Sequence, residues 1–375
     1  MTTEKTNSPL WIFYDFLLSQ GGAEKTTILL QQALGGHICV AYTEEDNLLS
    51  YETSTVKCIS KKQTSPGLPT LDGLWSFYTK TKFLLPHTGT ALFSGSNAVL
   101  AACNHPIGEN ILYCHTIPRF AYDMRKFYRE RLPFWKRLPF DALCLVTRAS
   151  YRHSLTKMDT ILVNSRNVQE RLKKYTGYDS EIVYPPVDTK KFSFKPAGNY
   201  YLSTSRLEEF KRVDVIIKAF LNMPDKRLII ASSGSHEAEL RVLAGDAQNI
   251  QFAGWIEDDV LQNLIENCIA SIYIPIDEDF GISPVESMAA GKPVIGVNEG
   301  GLLETVLHKK TGYLCDATPD ELITAVQWLT AERAKKMQRE CENCAAKFDD
   351  DVFIKKMKTY ILGSTNNSRK LTTPT

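Results

Sequence analysis

Arg206 and Lys211 lie in Arg206-Leu207-Glu208-Glu209-Phe210-Lys211-Arg212, directly ahead of a helical pattern that begins at Val213. Two cations beside the amide-rich start of a helix can grip a diphosphate. The same cations can pair instead with Glu208 or Asp214 at the surface, where such pairs are common and weak. Further on, Glu278-Asp279-Phe280-Gly281-Ile282-Ser283-Pro284-Val285-Glu286 places two carboxylates around a glycine. Gly281 lets the backbone approach a ligand, and the amides of the Phe280-Gly281-Ile282 turn suit a phosphate or a sugar hydroxyl. Glu286 can accept two hydrogen bonds from vicinal ribose hydroxyls. It also fits a helix start, with Ser283 as N-cap, Pro284 as the first helical residue and Glu286 closing a capping box. Asp277-Glu278-Asp279 reads D-x-D, whose oxygens suit magnesium or manganese. A metal there would duplicate Arg206 and Lys211, so the metal-free reading is preferred.

The first half offers two more candidates. Gln20-Gly21-Gly22-Ala23-Glu24 follows a strand and opens a helix, but it is not G-x-G-x-x-G and so carries no dinucleotide fingerprint. An ordinary strand-to-helix turn would want the same glycines. His115 ends another strand in Tyr113-Cys114-His115-Thr116-Ile117-Pro118-Arg119-Phe120-Ala121-Tyr122-Asp123. On general grounds a lone histidine is more often structural than catalytic.

These residues need a scaffold that brings strand ends together. Short apolar runs alternate with helical patterns along the whole chain, which predicts α/β domains with mainly parallel sheets. The expected strands are Leu10–Phe16, His37–Tyr42, Thr55–Ile59, Ala91–Gly95, Asn110–His115, Thr160–Asn164 and Glu181–Tyr184, then Tyr200–Ser205, Arg227–Ser232, Asn249–Gly254, Ala270–Pro275 and Pro293–Val297. Helices such as Val213–Leu221 and Leu322–Leu329 separate them. The restart after Tyr184-Pro185-Pro186-Val187-Asp188 marks a boundary. The expected organisation is an N-terminal Rossmann-like domain over 1–190 and a second over 191–349. A helix at about 350–362 packs back on the first, and a disordered tail covers 363–375. Two doubly wound domains would face a central crevice at the carboxyl ends of their strands, where such folds bind ligands. The candidate residues fall just after strands, as that requires.

Composition narrows the partners. The 375 residues carry 44 Lys and Arg against 43 Asp and Glu, a net charge of +1, which argues against nucleic acid. No apolar run has the length of about 18 residues that a transmembrane helix needs. Nine scattered cysteines suit reduced thiols and a cytoplasmic setting better than a disulfide framework. Cys341 and Cys344 form a C-x-x-C with no second pair at zinc spacing, and read as half-buried thiols on one helix face. One local patch stands out. Between Arg125 and Phe140, six cations (Arg125, Lys126, Arg129, Arg131, Lys136, Arg137) interleave with aromatics, and only Glu130 opposes them. That suits the inner face of a membrane; a solvated helical pair packed on the domain is the alternative. Pro133 and Pro139 are expected to prevent one continuous helix.

Taken together, Ser205-Arg206-Leu207, Lys211, the Glu278/Glu286 element, Gly291-Lys292-Pro293-Val294 and Gly300-Gly301 followed by Glu304 resemble the C-terminal domain of family-four, GT-B-fold retaining glycosyltransferases. Tyr113–Asp123, Asn164-Ser165, Tyr184–Asp188 and Lys211-Arg212-Val213-Asp214 are most similar to the O-antigen mannosyltransferase branch. The resemblance implies that Arg206 and Lys211 neutralise the donor diphosphate in place of a metal. It implies that Glu286 holds the ribose, and that Glu278, Phe280, Gly281 and Ile282 meet the donor sugar. Gly21 and Gly22 would lie against donor phosphate, and His115 would contact the donor sugar. Arg119, Tyr122 and Asp123 would sit on the acceptor side. The implied reaction moves mannose from GDP-mannose to a glycan or polyprenyl-linked glycan in surface polysaccharide synthesis, with no cofactor. A nucleotide-sugar epimerase of the same architecture, a non-catalytic sugar-nucleotide binder and a UDP-sugar donor remain alternatives. Thr116-Ile117-Pro118 and the serine-rich Ser232-Ser233-Gly234-Ser235 depart from the family pattern.

Overall fold

The computed structural model describes residues 10–17, 21–43, 56–60, 69–83, 89–105 and 108–363. The chain divides into two compact units, one of residues 1–184 with 354–375 and one of residues 185–353. Each is built around one parallel sheet.

In the first unit the strands are β1 (Trp11–Leu17), β2 (His37–Thr43), β3 (Val56–Cys58), β4 (Thr90–Phe93), β5 (Glu109–Cys114), β6 (Thr160–Val163) and β7 (Glu181–Ile182). They lie in the order β3-β2-β1-β4-β5-β6-β7. Every pairing is parallel, from Trp11 opposite His37 to Val163 opposite Ile182. The second unit holds β8 (Tyr200–Ser203), β9 (Arg227–Ile230), β10 (Ile250–Phe252), β11 (Ser271–Tyr273), β12 (Val294–Val297) and β13 (Gly312–Cys315). Their order is β10-β9-β8-β11-β12-β13. Helices cover both faces of such sheets, so central strands read as unbroken apolar runs. Tyr200–Ser203 and Val294–Val297 are buried throughout. Phe13, Phe93 and Leu112 anchor the first core, and Leu202, Ile229 and Ile265 the second.

In both sheets the order of strands reverses once, between β1 and β4 and between β8 and β11. At such a switch point the two flanking loops diverge and leave a crevice at the carboxyl ends of the strands.

All twelve expected strands are present, and the sequence reading missed β13. Its Tyr313 and Leu314 are only half buried at the sheet edge, so the apolar signal is weak. The boundary falls at residue 185 rather than 191. Val187 bridges Asp349 and donates to the Phe348 carbonyl at 2.9 Å, which ties residues 187–190 to the second unit. The last helix, Asp350–Gly363, begins in that unit and ends in the first, where the Tyr360 hydroxyl donates to Glu181. The expected disordered tail lies, beyond Gly363, outside the described residues. The nine cysteines are free thiols, and Cys341 and Cys344 donate to the Thr311 and Thr305 carbonyls. Pro133 does end the short helix Arg125–Arg131, but Pro139 sits inside the helix Phe134–Leu155. It falls in the second turn, where the break it was expected to impose is absent.

Candidate active site

The switch point of the second unit collects the donor-side candidates. The loop after β8 runs through Arg206 into a tight turn at Glu209–Lys211, and Arg212 takes a left-handed φ of 54° to enter the helix Val213–Leu221. The loop after β11 is joined to it, since the Ile276 amide donates to the Phe210 carbonyl at 2.8 Å. Lys211 is 7% exposed. Its ammonium donates to Glu278 Oε2 at 2.7 Å and to the Tyr273 hydroxyl at 3.1 Å. That hydroxyl donates to Glu278 Oε1 at 2.9 Å, closing a three-membered ring of polar groups. Burial by itself lowers the ammonium's pKa, but Tyr273 and Glu278 outweigh it and hold Lys211 above the ordinary lysine range. Lys211 is therefore a fixed, charged group and not a free surface cation.

Arg206 is exposed and has no ion pair among the described residues. The surface partners considered for it form bonds elsewhere, although Glu208, whose pKa burial raises and the Ser235 bonds and the Arg206 charge lower, still feels this cation. Glu208 accepts from the Ser235 hydroxyl at 2.7 Å, and Asp214 pairs with Lys218 at 2.7 Å. The serine-rich turn keeps the one glycine it needs, because a Cβ on Gly234 would lie 2.5 Å from the Leu207 carbonyl oxygen.

Glu286 loses its bland explanation. The helix starts at Ile282, with Gly281 as cap at a φ of 93° and no side-chain capping bond. Ser283 is the second helical residue, not the N-cap, and no capping box forms. Pro284 is tolerated at the third position because first-turn amides have no intrahelical acceptor. Glu286 is thus a half-buried carboxylate one turn in, behind the free amides of Ile282 and Ser283. The Phe280 ring is in the core, edge-on to Phe348 at 5.2 Å, so only its backbone is available to a ligand. In D-x-D, Glu278 belongs to the Lys211 ring, and among the described residues no three His, Cys, Asp or Glu side chains cluster with metal-holding geometry.

Gly300-Gly301 supports this loop by close approach. A Cβ on Gly301 would stand 2.5 Å from both Phe280 Cα and the Asp279 carbonyl oxygen, and the Gly301 amide donates to the Glu278 carbonyl at 2.8 Å. Gly301→Ala forces the 277–281 backbone to move. The expected outcome is a loss of about 1–3 kcal/mol in chemical unfolding with a fall in turnover; unchanged turnover would show that this loop position is not needed.

The switch point of the first unit forms a cavity of about 160 Å³ lined by Tyr14, Asp15, Ala23, Ser94, Ser96 and His115, among others. Gly22 starts the helix Gly22–Leu34 and Gly21 caps it, which sets Ala23 on the cavity wall. Asp15 is half buried and accepts from the amides of Ser96, Asn97 and Ala98 at 3.0, 2.9 and 2.7 Å and from the Ser96 hydroxyl at 3.1 Å. It fixes the turn after β4. Burial raises its pKa against those four bonds.

His115 is oriented by two hydroxyls. Thr27 Oγ1 donates to the Ala23 carbonyl at 2.9 Å, so its one proton is committed. Ser94 Oγ lies 3.1 Å from Thr27 Oγ1 and 2.9 Å from His115 Nε2. The bond between the hydroxyls needs a proton that only Ser94 can give. With the Thr27 proton on the Ala23 carbonyl, His115 Nε2 carries the proton that Ser94 accepts and Nδ1 is the acceptor nitrogen. The edges of Tyr14 and Tyr113 flank the ring at 6.5 and 5.0 Å. Burial pushes its pKa down to about 4, so the imidazole is neutral near pH 7.

The acceptor-side candidates sit in the turn after His115. Arg119 donates to Asp123 at 2.9 Å, and Arg171 lies 3.6 Å from the same carboxylate. Tyr122 is buried, with its ring packed against Tyr151 and Tyr175. These three residues shape the turn; Arg119 and Asp123 neutralise each other. Asp15, Thr27, Ser94 and Tyr273 were not anticipated. Asp15 gave a signal, as the one acid in the otherwise apolar Trp11–Leu17.

Residues 187–348 match the family Glycosyl transferases group 1. Alpha-1,3/1,6-mannosyltransferase ALG2 of Saccharomyces cerevisiae is 29% identical over 286 residues, 59% of this chain and 53% of that protein. GDP-Man:Man(3)GlcNAc(2)-PP-Dol alpha-1,2-mannosyltransferase of Dictyostelium discoideum is 26% identical over 232 residues, 54% of this chain and 46% of that one. The chain thus spans about half the length of these relatives. Anabaena HepE in complex with UDP and glucose is 16% identical with a TM-score of 0.75, over 95% of this chain and 100% of its own. Two parallel-sheet α/β domains with such neighbours make the fold GT-B.

Proposed function

We propose that the chain is a retaining mannosyltransferase that moves mannose from GDP-mannose onto a glycan carried by a polyprenyl pyrophosphate. The observation that carries this reading is the Lys211–Tyr273–Glu278 ring, with the exposed Arg206 in the loop that leads to Lys211, at the switch point of the domain that matches group 1 glycosyl transferases. The names of the similar proteins support mannose, and one of them names GDP-Man and a PP-Dol acceptor. The sequence resemblance favours surface polysaccharide of the O-antigen kind, and the relatives favour other lipid-linked glycans. A lipid-linked glycan acceptor is common to both.

In this reading the diphosphate departs with growing negative charge, which Arg206, Lys211 and the first amides of the helix Ile282–Ala289 stabilise. Glu286 accepts from the ribose hydroxyls. The Glu278 carboxylate, held by Lys211 and Tyr273, accepts from a hydroxyl of the transferred sugar. The acceptor hydroxyl attacks on the face that the diphosphate leaves, and a departing phosphate oxygen takes its proton. No covalent enzyme intermediate is required, and Arg206 and Lys211 serve in place of a metal.

The test is a donor panel with and without a polyprenyl pyrophosphate glycan, each arm repeated in EDTA. GDP-mannose should be consumed only when acceptor is present, at a rate EDTA leaves unchanged, giving an α-linked product. Free mannose without acceptor would favour the epimerase reading, preference for a UDP-sugar would overturn the donor, and loss in EDTA would restore D-x-D as a metal site.

A further inference from the structure

The helix Phe134–Leu155 covers the first unit with one face and leaves another bare. Cys144, Thr147, Tyr151, Ser154 and Leu155 are its buried side. At about 100° per residue, Phe134, Trp135, Leu138, Ala142, Leu145, Val146 and Ala149 form a separate stripe along three to four turns. Phe134 and Leu138 are each 77% exposed, Leu145 66% and Trp135 63%. A run of large apolar side chains in water marks an interaction surface.

Charge identifies what it meets. Residues 125–152 carry eight Lys and Arg against Glu130 and Asp141, a net +6 in a chain whose total is +1. Asp141 is engaged by Arg125 at 2.7 Å and Arg129 at 3.0 Å, whereas Lys126, Arg131 and Lys136 are exposed. Beside the stripe, a surface pocket of about 440 Å³ is lined by Arg125, Lys126, Arg129 and Arg148, with Asp123, Asp141 and Tyr122. Asp141 and Arg148 lie on the helix between its buried side and Phe134 and Leu145, so the pocket borders the stripe. The expected patch is thereby redrawn. Phe140 is half buried on the core and Phe127 carries Arg131 over its ring at 3.5 Å, while Leu138, Leu145 and Val146 join the contact face.

We infer that this face docks on an anionic lipid bilayer, with the apolar stripe at the headgroup boundary and the basic pocket around a lipid phosphate. An apolar stripe flanked by cations is the pattern of a helix that lies in an interface, and no helix among the described residues is long and apolar enough to cross a membrane. A second copy of the chain would bring two faces of net +6 together, which disfavours self-association here. The docking is independent of the transfer reaction and is read by binding, so either reading can fail without the other.

The experiment is co-sedimentation of the full chain with vesicles of phosphatidylcholine alone and of phosphatidylcholine mixed with phosphatidylglycerol. Binding should be at least about tenfold tighter to the mixed vesicles and fall as salt rises. Leu138→Glu with Leu145→Glu should weaken it about tenfold or more, and Lys126→Glu with Lys136→Glu should abolish the preference for anionic lipid. All four side chains are exposed, so unchanged thermal unfolding is expected and is the control for folding. Equal binding to both vesicles, or none, overturns the inference. So does full displacement by inorganic phosphate while the stripe variant still binds, which would assign the pocket to a free anion. Self-association that the Leu138 and Leu145 changes abolish, with vesicle binding intact, would assign the stripe to a second copy.

Discussion

Replacing Lys211 by alanine is expected to lower turnover about a thousandfold, because a preorganised cation facing a departing anion contributes on that scale. The same change should also destabilise the second unit. Lys211 is buried and neutralises Glu278 at 2.7 Å, so removing it takes the cation from a half-buried carboxylate that still accepts from the Tyr273 hydroxyl. Breaking such a pair costs about 3–5 kcal/mol where both groups are deeply buried. Glu278 is partly solvated, with a side-chain exposure of 19%, which puts the expectation near the lower end. The two effects separate in a double variant. Lys211→Ala with Glu278→Gln removes the stranded charge and should recover most of the unfolding free energy, yet none of the turnover. If the double variant recovers turnover as well, Lys211 acts only by holding the loop and the proposed chemistry is wrong. Because its pKa is raised in the fold, the stability it adds is complete below the ordinary lysine value and is lost only as pH rises through the higher folded one. Assays near neutral pH are insensitive to that titration.

Much of this site was legible in the sequence, and the reason is local. Arg206, Lys211, Glu278 and the Gly300-Gly301 pair all sit in loops directly after strands, and apolar runs make strand ends easy to find. Gly301 was singled out only through the family resemblance, and its physical reason appears in the fold, where a Cβ would stand 2.5 Å from Phe280 Cα. Pairing across the sheet was not legible. Tyr273 is one more aromatic in a buried strand until β8 and β11 become neighbours and bring its hydroxyl to Lys211. The helix start at Ile282 was misplaced because Ser283-Pro284 is a strong capping signal, whereas the backbone turns two residues earlier at Gly281. The resemblance put Tyr122 on the acceptor side, but its neighbours Tyr151 and Tyr175 come from distant helices and draw its ring inward. Thr27 and Ser94 are ordinary residues whose value lies entirely in their contact across 67 positions of sequence.

That contact makes the second large effect. Thr27→Val preserves the shape of the side chain and removes the oxygen that accepts Ser94's proton. Ser94 then gains by turning its hydroxyl to His115 Nε2, which requires the ring to move its own proton to Nδ1. If His115 contacts the donor sugar as the family resemblance implies, a nitrogen that accepts from the sugar becomes a donor, although nothing touching the sugar has been replaced. The expected result is a switch in the imidazole ¹⁵N shifts from the Nε2–H to the Nδ1–H tautomer, with kcat/KM for the donor lower by about tenfold, the scale of one mispaired hydrogen bond. A merely structural threonine would lower stability and leave the tautomer alone. The pH dependence supplies an independent check. Because the folded pKa, about 4, lies below the ordinary 6.5, the unfolded chain binds more protons between those values, and stability must fall as pH drops through that window. The loss from this group should be of order 2 kcal/mol, reduced from the full shift by the ring's partial exposure. It should be missing in His115→Gln when both proteins are unfolded in urea at pH 7 and pH 4. Turnover between pH 6 and 8 should show no inflection from His115, since a ring already neutral at pH 6 has no proton left to lose. An inflection there that His115→Gln removes would mean the ring is protonated in the working enzyme, and the acceptor role given to Nδ1 would have to be abandoned.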